Sequence, residues 1–168
     1  MHDYTPSWDY PVIELVEVPN LDEVSRMQLL AVVERANLEL TKPLGLEEGF
    51  EVFFVEPMGL SGVSGESDVL AVYCNGTSSR PVVGFDLVSM RAACEESGLS
   101  FVHQFTVSLG HELAHAFQEA AGVAGEDRDF DEDHAETFGR RWADDGHIDT
   151  SLLFDPAELR LRISRRCQ

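Results

Sequence analysis

The stretch His111-Glu112-Leu113-Ala114-His115 constrains this chain more than any other. On an α-helix, positions four apart lie one above the other, so both imidazoles leave the same face. Two neutral imidazole nitrogens at that separation can grip one Zn²⁺. Glu112 follows His111 directly and can lean over the open coordination position, where it would take a proton from water. The pattern therefore demands a helix, and the surrounding run from Ser100 to Gly122 supplies one. Gly110, Leu113, Ala114, Ala116, Phe117, Ala120 and Ala121 suit a buried, close-packed helix, and Gly122 is a natural stop signal. The plainer alternative is a core helix carrying two hydrogen-bonded histidines; the small apolar context and the acid between the histidines favour the metal.

A chain of 168 residues is long enough to bury a real core and reads as one domain over 1–168. No apolar run approaches the length of a membrane span. The first ten residues lack the basic start and apolar centre of a secretory signal, so cytoplasmic residence is the expectation. Cys74, Cys94 and Cys167 are widely spaced and form no CxxC pair, which predicts reduced thiols, with Cys74 buried in a strand. The formal charge of −19 argues against a nucleic-acid partner, because binding phosphates needs clustered cations. The basic cluster Arg160, Arg162, Arg165 and Arg166 reads as a solvated helix end.

Taken in order, Val12–Val18 reads as a strand, and Asn20 as the cap of a helix from Leu21 to about Leu40. That helix carries Val24, Met27, Leu30, Ala31 and Leu38 at helical spacing. Phe50–Glu56, Val69–Cys74 and Pro81–Leu87 read as further strands, the last two joined as a hairpin across Asn75–Arg80. The segment 57–67 is a Gly- and Ser-rich loop. Asp86 to about Glu96 reads as a short helix ended by Gly98, followed by the metal helix. An acidic loop over 122–131 precedes a helix from about Asp131 to Asp145, and a last helix covers about 156 to 166. This order predicts an α+β fold: a small, mostly antiparallel sheet packed on helices.

Two histidines leave a catalytic zinc one protein ligand short. The helix after the acidic loop offers candidates. Its buried stripe is expected at Ala135, Phe138, Gly139, Trp142 and Ala143. Glu132 lies about 60° from the centre of that stripe and His134 about 100° away on the other flank. Geometry thus leans towards Glu132, with His134, Glu136 or another acid as alternatives, since carboxylate and imidazole both bind zinc.

The segment Glu132-Asp133-His134-Ala135-Glu136, placed after the HExxH stretch, resembles the ExxxD/ExxAD element of the gluzincin metallopeptidases. The resemblance covers about 35 residues, from Gly110 to Ala143. It implies a zincin-like fold with Zn²⁺ held by His111, His115 and Glu132, and an acid at Glu136 that hydrogen-bonds a zinc-binding histidine. Glu136 stands where the family has Asp. The implied activity is a zinc-dependent hydrolase, a peptidase acting on a peptide or protein substrate, with Glu112 as general base. The resemblance also implies an edge strand that pairs with the substrate backbone, for which Pro81–Leu87 is the candidate. Tyr73, His103 and His147 are candidate oxyanion donors, and His103 could line the cleft. These 168 residues offer no obvious second domain for the far wall of a cleft, so the expectation is a shallow cleft, or one completed by the 57–67 loop or by a protein partner. The alternative reading is a regulatory or binding module on a zincin scaffold, with a structural or vestigial metal; a third is hydrolysis of non-peptide amides.

Overall fold

The computed structural model describes residues 12–13, 22–46, 49–54, 71–74, 81–120, 128–148 and 152–153. The described elements are β1 (Val12–Ile13), α1 (Glu23–Glu39), β2 (Glu51–Phe54), β3 (Ala71–Cys74), β4 (Val82–Phe85), α2 (Leu87–Ser97), α3 (Phe101–Ala120) and α4 (Arg128–Asp145). The α+β layout holds. The expected loop 57–67, the hairpin turn 75–80, the final helix 156–166 and residues 14–18 of the first strand lie outside the described residues.

Helix ends follow local chemistry. The side chain of Asp22, not Asn20, caps α1 by accepting the Ser25 amide at 2.7 Å. Asp86 does the same for α2 through the Ser89 amide at 2.9 Å, and Gly98 closes that helix in the left-handed conformation at φ 73°. Ser100 accepts the His103 amide at 3.3 Å as α3 begins. Helix α4 starts at Arg128, three positions before the expected Asp131.

The sheet corrects the sequence reading. Its strand order is β1-β2-β4-β3, and two of its three pairings are parallel rather than antiparallel. For the β1–β2 pair the cause is the connection between the two strands. It passes through α1, and a helical crossover returns the chain in its original direction. Val12 thus aligns with Glu51, and Glu51 in turn with Val82. The antiparallel pairing of β3 with β4 agrees with the expected hairpin. As a result β4 is interior, between β2 and β3, so Pro81–Leu87 is not an edge strand. Pro81 precedes the strand, where its missing N–H breaks no ladder bond, and its carbonyl accepts the Glu51 amide at 2.9 Å. Among the described strands the edges are β1 and β3.

Helix α3 is central, packing against α1, α2, α4, β3 and β4. Its Phe105, Leu109 and Leu113 are fully buried, and the Phe105 ring meets Phe85 of β4 with centroids 4.6 Å apart. Helix α1 turns Leu29, Val32, Val33 and Ala36 inward. The expected stripe is largely outside: Val24, Met27 and Leu38 are exposed. Two apolar stripes overlap on this helix, and the one buried continues the 3.6-residue period through Leu40. Helix α4 buries Ala135, Phe138, Gly139 and Trp142, as its pattern predicts. Among the described residues, no helix is long and apolar enough to cross a membrane.

The crossing of α3 and α4 is set by two glycines. A β-carbon on Gly139 would overlap the Val107 carbonyl oxygen and lie 2.9 Å from the His111 amide nitrogen. One on Gly110 would lie 3.0 Å from the Gly139 α-carbon. The absence of both side chains lets the backbones meet, which brings the side chains of one helix within reach of the other.

Candidate metal centre

The close crossing brings together His111, His115 and Glu132. The Nε2 atoms of the two histidines are 3.1 Å apart. Glu132 straddles them, with Oε2 3.3 Å from His111 Nε2 and Oε1 3.2 Å from His115 Nε2. Both imidazoles are largely buried, and Glu132 faces solvent from the first turns of α4.

Hydrogen bonds to the other ring nitrogens decide what the facing nitrogens are. A carboxylate only accepts, so His111 Nδ1–H donates to Glu136 Oε2 at 3.0 Å. The other oxygen of Glu136 accepts from Arg140. The Glu136 side chain therefore reaches the histidine, with Arg140 bracing it. His115 Nδ1–H donates to the Gln118 side-chain oxygen at 2.9 Å. In the neutral imidazoles both Nε2 atoms are then bare acceptors.

Three acceptors thus converge, two nitrogens and a carboxylate, and such groups repel without positive charge between them. A proton bridges two atoms; a cation can satisfy all three. Tetrahedral zinc with bonds of the usual length separates neighbouring ligand atoms by about 3.3 Å, close to the spacing seen here. The donor set of two imidazoles and one carboxylate is one that zinc accepts. The residues present therefore fit the ion.

Glu112 is buried on α3, one position from His111. His134 is not part of the cluster. Its Nε2–H donates to the Leu152 carbonyl at 2.8 Å, and its Nδ1 accepts from the Gln118 amide at 2.8 Å. Its ring is stacked between Phe117 and Phe130, with centroids 6.1 and 5.9 Å away. Burial pushes its pKa below the ordinary histidine value, which favours the neutral ring. Both its nitrogens are thus engaged in hydrogen bonds, and it lies outside the group formed by His111, His115 and Glu132.

Of the oxyanion candidates, His103 and His147 make their contacts away from the cluster. His103 lies two turns earlier on α3, about 12 Å along the axis, and pairs with Asp144 at 2.7 Å. His147 is exposed and donates to the Asp145 carbonyl. The side chains of Tyr73 and Cys74 lie outside the described residues. Gln118 was missed in the sequence. The available signal was a polar residue three positions after His115, where helical spacing puts it within reach of that ring.

Comparison of the chain with protein-family models, curated proteins and solved structures yields no match.

Proposed function

We propose that this protein is a zinc-dependent hydrolase, a small zincin-like metallopeptidase that cleaves a peptide or protein substrate. The observation that carries the reading is the convergence of two bare histidine nitrogens and one carboxylate, at tetrahedral-edge spacing, beside a buried glutamate. His111, His115 and Glu132 would hold the ion. Bound zinc would lower the pKa of water and polarise the scissile carbonyl. Glu112 accepts the proton of the attacking water and delivers it to the leaving amine. Glu136, braced by Arg140, holds His111 in the orientation that presents Nε2.

Edge strand β3, antiparallel to β4, packs against α3. Among the described strands β3 is an edge, and an extended substrate pairing with it would lie beside the metal helix, which supports a peptide over a compact small-molecule substrate. The resemblance to gluzincins in Gly110–Ala143 agrees with this assignment.

The test compares wild type with Glu112→Gln for bound zinc and for cleavage of a broad peptide library. The variant should keep one zinc per chain and lose about 10²–10⁴-fold in kcat. Wild type that binds zinc and cleaves no peptide would overturn the peptidase assignment in favour of a binding or regulatory module.

A further inference from the structure

Behind the candidate ligands lies a row of buried polar groups that the proposed chemistry does not use. It runs from His115 through Gln118 and His134 to the Leu152 carbonyl, with the Asp131 carbonyl as a branch. Gln118 is completely buried. Two main-chain carbonyls, which can only accept, fix every proton in this row. From one end, the Asp131 carbonyl lies 2.8 Å from the Gln118 side-chain nitrogen, which fixes the orientation of the amide. Its oxygen must then face His115 Nδ1, so Nδ1 carries the hydrogen and Nε2 is bare. From the other end, the Leu152 carbonyl requires a hydrogen on His134 Nε2, so His134 Nδ1 accepts. Its donor is the second N–H of Gln118. The two ends give the same amide orientation independently.

We propose that Gln118 is a positioning residue that selects the metal-binding tautomer of His115, and that His134 holds Gln118 in that orientation. Imidazole in water exchanges between two tautomers, and only the one with a hydrogen on Nδ1 presents a lone pair from Nε2 towards His111 and Glu132. Gln118 shares its helix with His115, so the distance between them is fixed by helical geometry. His134 and the Asp131 carbonyl come from α4, so the selection is made across the helix pair. The proposal rests on the metal reading of His111, His115 and Glu132.

The test measures zinc affinity by chelator competition and reads the histidine tautomers of the metal-free full-length chain by nitrogen-15 NMR. Wild type should show His115 protonated at Nδ1 and His134 at Nε2. Gln118→Met keeps the length and removes the acceptor; zinc affinity should fall about 10–100-fold, with His115 no longer confined to one tautomer. Gln118→Glu keeps an acceptor for His115 and loses both donors, so zinc affinity should recover to within several-fold of wild type although thermal stability falls. A merely structural glutamine would not give that recovery. Gln118→Met binding zinc as tightly as wild type, with wild type itself binding zinc, overturns the inference and leaves the metal reading standing. Wild type that binds no zinc overturns both. If Gln118→Met does not fold, the wild-type tautomers decide, and His115 protonated at Nε2 in the metal-free protein sinks the proposal.

Discussion

Glu136 and Glu132 are one helical turn apart, yet they meet different atoms of His111. Glu132 faces Nε2, and Glu136 accepts from Nδ1. The two acids should therefore fail differently. Glu132→Ala removes a direct donor to the ion and should cost the greater part of zinc affinity. Glu136→Ala leaves the donor set intact and should weaken zinc about 10–100-fold, through loss of orientation. Chelator titration of both variants checks the order; equal affinities would show that Glu132 is not a ligand. At this scale the sequence is informative where helical phase alone decides. The spacing of His111 and His115 and the angular position of Glu132 are one-dimensional facts, and both place the residues where the structure has them. The role of His134 is not of that kind. It depends on the Leu152 carbonyl, 18 positions away, and on two flanking aromatic rings, none of which helical phase reports.

Between elements, the decisive contact is the crossing of α3 and α4. Gly139 sits against the Val107 carbonyl and the His111 amide, both main-chain atoms that cannot rotate away. Gly139→Ala should therefore destabilise the fold by about 1–3 kcal/mol, despite the better helix propensity of alanine. Because the overlap falls on His111, zinc affinity should drop as well. Urea unfolding with and without zinc measures both effects, and a variant as stable as wild type would mean that the helices separate at no cost. The stripe of α4 is legible because it is its only apolar face. That of α1 is ambiguous, since nine of its positions are apolar and two stripes overlap, so only packing against α3 decides between them. Sheet direction was misread for a different reason. Alternation within a strand says nothing about its neighbour, and the clue was the helix between β1 and β2, whose crossover forces parallel pairing.

For the whole molecule, an ion held only by the folded chain must add to its stability. Zinc at about one hundred times its dissociation constant should contribute about 2.7 kcal/mol, which for a domain of this size is a rise of about 5–10 °C in Tm. EDTA should reverse it, and His115→Ala should abolish it. A melting temperature indifferent to zinc would argue that the cluster is filled by a proton instead. The general α+β layout was legible from the order of strands and helices; the way the strands are threaded through the sheet was not.

The three residues of the candidate centre come from α3 and α4, neighbours along the chain, with His111 and Glu132 only 21 positions apart. Bringing them together closes about half the length of chain that separates β1 from β2, which lowers the closure cost by roughly 0.5 kcal/mol. An ion bound there would tie α3 to α4 through a shorter closure than the β1–β2 pairing needs. Zinc present during refolding should raise the refolding rate, and stopped-flow fluorescence of Trp142, which lies on α4, would record it.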